Sequence, residues 1–474
     1  MRKWVLVAAW SLMLSPALAA NPWAAMSKGD LQAMHDLIAA NHPGAVDLEN
    51  PHFRDWLENG FVQAMTKADE ARSIDDYERT LHFYQDGFQD GHVGVWFSVN
   101  PDQLSWAGFI LYATDATDVQ VVAAEPGSGV KAGDRLLSCD GKGIDALLAE
   151  RTDAFYWNAA VPHLRYAPIN YLFRQDAQDH LTELSACTFS SGQVTLKWRN
   201  GDYAAVMAKY DAALATSNEP GLRQIDGVWL LSLPTFYYPT DADIAKMQGI
   251  ISQVEAKAAV LRNATLVIDV RGNTGGSSRW GEMIAAALWG KAWVERIKEQ
   301  QDETVDWRAS DDNLAQVDWI IEYVRKQSGN NTETLRRLSA MRQAMAVALK
   351  NHRSLVRESE PAHSPSAPLP PNPVKGRVFF LTDRSCGSAC LDFADLMRQL
   401  PGVTQVGQPT SADSVYLEAN LKPLPSGIAM FEYPMKVYRH RLRKNNEWYE
   451  PKVLWPYGPM VDDAAIIRWI RTLK

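Results

Sequence analysis

One short segment, residues 386–390, reads Cys-Gly-Ser-Ala-Cys and contains the serine, Ser388, that is best placed for chemistry. An apolar run at 378–382 precedes it and a helix-like stretch begins at Ala389, so the pattern predicts a strand, a short loop and a helix. Between small neighbours and near the positive end of a helix dipole, a serine suits the role of an exposed nucleophile. The competing interpretation is that Ser388 caps the helix, which is a common role for serine.

A glycine-rich loop follows another apolar run. Residues 266–270 lead into residues 271–276, which read Arg-Gly-Asn-Thr-Gly-Gly. Glycines allow backbone N–H groups to face a ligand, so the loop suits either a phosphate or a developing oxyanion. Because it lacks both the lysine of a P-loop and the spacing of a dinucleotide-binding loop, a phosphate site is disfavoured. A purely structural turn is the alternative.

A serine nucleophile needs a base, and the base needs an acceptor to orient it. His92 lies in the segment 90–94, Asp-Gly-His-Val-Gly, whose glycines would leave the imidazole accessible. His440 lies in a basic run and is more simply explained as a solvated strand end. Glu447 and Glu450 are carboxylates late in the chain, and either is a candidate for the acceptor.

The elements that must position these residues fall into three regions. Residues 21–100 show helical spacing and end in the Asp-Gly-His motif. Residues 105–212 contain short strands with Gly-Asp and Asp-Gly turns, a strand leading into a turn at 199–202, and a pattern that resembles a PDZ domain. A small β-rich domain without a peptide role is the alternative. In residues 220–474, apolar strands alternate with helices, which predicts an α/β core with a mixed sheet covered on both faces.

An insertion interrupts this core at about residues 290–373. Residues 312–358 show the pattern of two amphipathic helices, and a proline-rich linker follows at 361–373. The predicted fold is therefore an α/β core that carries an N-terminal helical region, an inserted PDZ-like domain and a helical insertion. The insertion is a candidate for a lid or an interaction arm.

The first twenty residues predict a signal peptide. Arg2 and Lys3 precede an apolar run at 4–14, and small residues lead to a cleavage site after Ala19 or Ala20. That run is shorter than the roughly 20 residues of a membrane span. We therefore expect no integral membrane segment in the mature protein, which would act in the periplasm or outside the cell.

The net charge and the cysteines narrow the range of possible functions further. A net charge of −8 without a basic tract disfavours nucleic-acid binding. Cys139, Cys187, Cys386 and Cys390 would enter an oxidising compartment, where three full disulfide pairings are open. The spacing of the last two cysteines does not match a zinc ribbon, so a metal site is disfavoured.

Taken in order, these segments resemble the C-terminal processing (tail-specific) serine peptidase family. The likeness is carried by residues 90–92, 133–134, 266–276, 382–389 and the Val-Gly-Gln-Pro-Thr segment at 406–410. The resemblance implies that Ser388 is the nucleophile of a serine endopeptidase that acts on peptides or proteins without a cofactor. It also implies an oxyanion hole formed by the N–H of Ala389 and that of Gly275 or Gly276.

One position departs from the family pattern. Many members activate the serine with a lysine a few residues after Gly-x-Pro-Thr, but Asp413 stands there. Because aspartate cannot act as an amine base, the chain is more similar to the branch that uses histidine, such as the tricorn core protease. That resemblance implies His92 as the base and an acid downstream of the serine, Glu447 in preference to Glu450.

Two other functions fit parts of this sequence. A catalytically inactive protein that binds peptides or apolar ligands on the same scaffold would also lack the lysine, but the retained Gly-Ser-Ala and Asp-Gly-His segments argue against it. An unrelated esterase would carry a Gly-x-Ser-x-Gly elbow, and Cys390 occupies the place of its last glycine.

Overall fold

The computed structural model describes residues 21–97, 102–151, 161–175, 183–214, 219–300, 302–328, 333–358 and 368–473. The predicted signal peptide, 1–20, lies outside these residues, as does the first part of the proline-rich linker, 361–367. Across the described ranges, no helix combines the length and the apolar character needed to cross a bilayer.

The N-terminal region is a group of packed helices followed by a strand. Its elements are α1 (Pro22–Asn41), α2 (Pro51–Asp55), α3 (Phe61–Glu70), α4 (Ile74–Asp86) and β1 (Gly94–Phe97). The side chains of Asn21 and Asn50 cap α1 and α2, which both begin with proline, and Ser73 caps α4. These helices enclose an aromatic core that extends to the long strand of the second sheet described below.

The inserted domain is built from short strands and helices. Its elements are β2 (Gln103–Trp106), β3 (Phe109–Ala113), β4 (Val119–Ala124), β5 (Leu136–Cys139), β6 (Lys142–Gly143), α5 (Ile144–Arg151), β7 (Arg174–Gln175), β8 (Ala186–Phe189), β9 (Gly192–Thr195), β10 (Arg199–Asp202) and α6 (Tyr203–Leu214). The turn predicted at 199–202 is wrong, because these residues form β10 and pair with β2. A disulfide between Cys139 and Cys187 joins β5 to β8.

The rest of the chain forms two sheets and their helices. Its elements are β11 (Gly221–Ile225), β12 (Val228–Ser232), α7 (Asp241–Leu261), β13 (Leu266–Asp269), α8 (Arg279–Trp289), α9 (Lys291–Glu299), β14 (Thr304–Arg308), α10 (Asp311–Ser328), α11 (Glu333–Lys350), β15 (Leu355–Arg357), β16 (Val378–Thr382), α12 (Ala389–Met397), β17 (Val403–Gly407), β18 (Tyr416–Pro423), β19 (Ala429–Arg439), β20 (Val453–Leu454) and α13 (Asp463–Thr472).

The first sheet has six strands in the order β11-β12-β13-β16-β17-β20. It is mixed, since β11 is antiparallel to β12 while the strands from β12 to β20 are parallel. Apolar side chains of α7, α8 and α12 cover one face and those of α13 cover the other. The predicted fold class, an α/β core with additional helical and β-rich regions, is confirmed.

The second sheet connects the N-terminal helices to the insertion. Its strand order is β1-β19-β14-β15, and β18 pairs with β19. The two amphipathic helices of the insertion occur as α10 and α11, but strands β14 and β15 beside them were not predicted. This sheet carries β1, and therefore the Asp-Gly-His segment, toward the end of the first sheet.

Because β13, β16 and β17 are parallel neighbours, the loops that follow them meet at one edge of the first sheet. Those loops are residues 270–278, 383–388 and 408–415. All the segments with candidate chemistry after residue 260 therefore lie at this edge or beside it.

Candidate active site

Ser388 lies where strand β16 has ended and helix α12 begins. Its backbone has a φ of 50° and a ψ of −124°, a conformation that L-residues rarely adopt. Such a conformation costs about 1–3 kcal/mol and is found mainly at functional sites. The hydroxyl makes no capping hydrogen bond to the helix. The capping interpretation therefore fails, and the sharp turn presents the hydroxyl outward.

A disulfide spans this turn. The structure pairs Cys386 with Cys390, two residues on either side of Ser388, and this assignment closes the choice of pairings that the sequence left open. Both cysteines are fully buried and pack into the main apolar core.

His92 approaches Ser388 from the other sheet. Its Nε2 lies 3.4 Å from Ser388 Oγ, although the two residues are 296 positions apart. The backbone of this segment is held by Asp90, whose carboxylate accepts hydrogen bonds from His92 N at 2.9 Å and from Ser414 Oγ at 2.7 Å. The histidine is thus attached both to the end of α4 and to the loop after β17.

Asp90 is a buried carboxylate with several donors. Its second oxygen lies 3.1 Å from His42 Nε2. Burial opposes ionisation of this carboxyl, but the hydrogen bonds from His42 and Ser414 hold its pKa below the ordinary value. An ionised Asp90 therefore fixes the His92 backbone from behind the imidazole.

The other nitrogen of His92 faces Asp413. The distance from His92 Nδ1 to Asp413 Oδ1 is 3.3 Å, and the aspartate side chain is 4% exposed. Nδ1 is buried and not aligned on this oxygen as a hydrogen-bond donor, so the contact is a close ion-pair geometry rather than a formed bond. The guanidinium of Arg443 lies 3.8 Å from the second oxygen of Asp413.

Glu447 and Glu450 make other contacts. Glu447 accepts a hydrogen bond from the backbone N–H of Lys444 at 2.7 Å, and Glu450 accepts one from Trp448 Nε1 at 2.9 Å. Among the described residues, the carboxylates in ion-pair contact with His92 are those of Asp90 and Asp413.

The structure therefore does not bring either glutamate to the histidine. Glu447 is nevertheless close in the backbone, because it forms an antiparallel bridge with Asp413. Sequence reasoning used Asp413 only as evidence against a lysine base. Its position in the loop after a parallel strand next to β16 is the signal that would have identified it. His440 is exposed at the end of β19 and does not belong to this group.

The glycine loop lies directly against Ser388. Gly275 has a φ of +112°, and a Cβ at this position would lie 2.7 Å from Ser388 Cβ and 3.0 Å from Ala389 N. Gly276 has a φ of +131°, and a Cβ there would lie 2.1 Å from the Phe236 backbone. Both positions therefore require glycine, for conformation and for space.

The two glycines differ in their hydrogen bonding. The N–H of Gly275 donates to Asn273 Oδ1 at 2.9 Å. For the N–H groups of Gly276 and Ala389, no acceptor is found among the residues that the structure describes. These two backbone donors are available to a developing negative charge beside Ser388.

Asp383 ties the glycine loop to the loop of Ser388. Its carboxylate accepts hydrogen bonds from Gly272 N at 2.9 Å and Ser385 N at 3.0 Å. Burial nevertheless raises the pKa of Asp383 to about 6, because the two hydrogen bonds only partly offset the loss of solvent. Within the described ranges, no three His, Cys, Asp or Glu side chains are grouped as metal ligands would be.

Comparison with known proteins places this geometry in context. Residues 228–445 match the model of peptidase family S41. The fold is similar to that of mature CPAF, with a TM-score of 0.62, 16% identity, and 92% of this chain and 93% of that chain covered. It is also similar to that of mature CPAF complexed with lactacystin, with a TM-score of 0.61, 17% identity, and 94% and 96% covered.

At these identities the likeness to solved structures shows the fold alone. The tricorn protease also matches, with a TM-score of 0.38, 10% identity, and 95% of this chain and 37% of that chain covered, and this likeness carries no argument. A search of curated protein sequences finds no match.

Proposed function

We propose that the chain is a serine peptidase of family S41, whose model matches residues 228–445, and that it cleaves peptide bonds through an acyl-enzyme on Ser388. His92 is the general base, and Asp413 is the carboxylate that orients it. The observation that carries this proposal is the 3.4 Å approach of His92 Nε2 to Ser388 Oγ. The position of Asp413 on the opposite side of the imidazole supports it further.

The proposed reaction starts with neutral His92. Its Nε2 accepts the Ser388 proton as Oγ attacks the peptide carbonyl, and the imidazolium then protonates the leaving amine. Water then gives a proton to His92 as it attacks the acyl-enzyme carbonyl, and His92 returns that proton to Ser388 Oγ as the ester bond breaks and the acid product leaves. The negative charge of Asp413 stabilises the imidazolium in both halves of the reaction. Such contacts are often loosely aligned before substrate binds and tighten in the reacting complex.

The proposed oxyanion hole consists of the N–H groups of Ala389 and Gly276. Support comes from their lack of acceptors among the described residues, whereas the Gly275 N–H is already donated to Asn273. Gly275 then has a different role: without a Cβ, it allows the loop to approach Ser388.

The test uses a fluorophosphonate probe, which labels activated serines, and hydrolysis of a protein substrate such as casein. We expect the wild-type protein to be labelled and to cleave the substrate. Ser388→Ala should abolish both activities while leaving the melting temperature near the wild-type value, and His92→Ala should slow both strongly. A folded wild-type protein without labelling would instead support the binding-protein alternative.

We also propose that the substrate is a protein or peptide met after export. The predicted signal peptide and the two disulfides support an oxidising compartment. N-terminal sequencing of the protein recovered from its native compartment tests this, and a mature start at residue 20 or 21 is expected. Recovery of the uncleaved chain from the cytoplasm would contradict it.

A further inference from the structure

The Cys386–Cys390 disulfide closes the turn that contains Ser388. Cys386 and Cys390 are separated by four positions, with Ser388 midway, whereas the disulfide of the inserted domain joins residues separated by 48. Both members of the short disulfide are fully buried. Because a disulfide stabilises a fold mainly by restricting the loop that it closes, such a short loop contributes less to global stability than a long one. Its effect is therefore expected to be local.

The local conformation that it encloses is strained. Ser388 has a φ of 50°, although its carbonyl oxygen accepts hydrogen bonds from Leu391 N at 2.8 Å and Asp392 N at 3.2 Å in the first turn of α12. Ser411 N donates to Cys386 O at 3.1 Å, Gly387 N donates to Asn273 O at 3.3 Å, and Cys390 N donates to Gly387 O at 2.9 Å. The first two anchor the entry to the turn, and the third spans only its centre.

Among the described residues, none of these hydrogen bonds joins Cys386 to Cys390, the two ends of the turn. The Cys386–Cys390 bond does so directly, with the two Cα atoms 5.2 Å apart. Without it, we expect the backbone of Ser388 to relax toward an ordinary φ, which would turn Oγ away from His92 Nε2. In the structure these two atoms lie 3.4 Å apart.

We propose that the Cys386–Cys390 disulfide is a positioning cross-link that holds Ser388 in its reactive conformation, rather than a device for global stability. This inference rests on the proposed role of Ser388 as nucleophile. The cysteines themselves do not react with the substrate. They set the geometry of the residue that does.

The experiment compares two pairs of substitutions in the full-length mature protein. Cys386→Ala/Cys390→Ala removes the short disulfide, and Cys139→Ala/Cys187→Ala, the matched control, removes the long one from the inserted domain. For each protein we would measure the second-order rate of fluorophosphonate labelling, kcat and KM on a peptide substrate, and the melting temperature.

We expect the first pair to lower kcat and the labelling rate by about 10- to 100-fold, the range expected for a small misplacement of a reacting group. KM should change little, because the substrate-binding surface is intact. The control pair should lower the melting temperature more than the first pair does and leave kcat near the wild-type value. If the short disulfide only stabilised the fold, its removal would not lower kcat while the melting temperature fell less than in the control pair.

Single substitutions sharpen the test. Since a cross-link is lost when either sulfur is removed, Cys386→Ala and Cys390→Ala should each match the double variant in labelling rate. Partial effects that add up to that of the double variant would instead indicate loss of side-chain packing, and would overturn the proposal.

Wild-type labelling and kcat in Cys386→Ala/Cys390→Ala would also overturn the proposal. If the alanine pair does not fold, Cys386→Ser/Cys390→Ser, which is closer in volume, replaces it, and failure of both pairs to fold would refute a purely local role. The proposed function fails separately, if the wild-type protein itself is not labelled or if Ser388→Ala retains labelling.

Discussion

The orienting carboxylate of the proposed triad can be tested by removing one charge. In Asp413→Asn the side chain keeps its size but no longer carries the negative charge that faces His92 Nδ1 at 3.3 Å. Two unit charges about 4 Å apart attract by about 4 kcal/mol at an effective dielectric constant of 20. The guanidinium of Arg443, 3.8 Å from the same carboxylate, competes for part of that attraction.

We therefore expect a loss of roughly 3 kcal/mol in transition-state stabilisation, which corresponds to a decrease in kcat of about 100-fold. KM should change little, because the imidazolium forms only during the reaction. The melting temperature should also fall, because the buried guanidinium of Arg443 loses one of its neighbouring carboxylates, so kcat is compared at a temperature where both proteins are folded.

The assay is steady-state hydrolysis of a peptide with a fluorescent leaving group, together with fluorophosphonate labelling. Glu447→Gln and Glu450→Gln are the matched controls, since each also removes one negative charge near the site. Both controls should retain near-wild-type kcat. Full activity in Asp413→Asn combined with a large loss in Glu447→Gln would refute the geometric reasoning and restore the assignment favoured by the sequence.

Two further predictions concern the loops around Ser388. Burial raises the pKa of Asp383 to about 6, so the folded state binds its proton more tightly than the unfolded state, and stability should fall as pH rises from about 4 to 6, by roughly 3 kcal/mol. In Asp383→Asn, denaturant unfolding at several pH values should show a smaller fall in the free energy of unfolding over this range. A fall equal to that of the wild-type protein would contradict the assignment. Gly275→Ala places a Cβ against Ser388 and should slow labelling by about 100-fold. Gly290→Ala, with similar backbone strain but open space around it, should leave labelling unchanged, and equal losses would show that strain alone is responsible.

Much of the architecture could be predicted because it depends on local patterns. Apolar runs at 266–270 and 378–382 are long enough and uniform enough to indicate strands covered on both faces, and the glycines and small residues after them mark loops before helices. The strands of the insertion and β10 were missed. They are short strands whose formation depends on distant partners, β14 and β15 in the second sheet and β10 on β2.

By itself, the sequence determined where a nucleophile and a base could stand. Ser388 and His92 follow from motifs within a few residues, since glycine and small neighbours control the local backbone and access. Only the tertiary structure decided which carboxylate faces His92, which glycine N–H lacks an acceptor among the described residues, and which cysteines are joined. Each of these depends on distances between groups in different loops. Those distances are set by the parallel order of β13, β16 and β17 and by the pairing of β1 with β19.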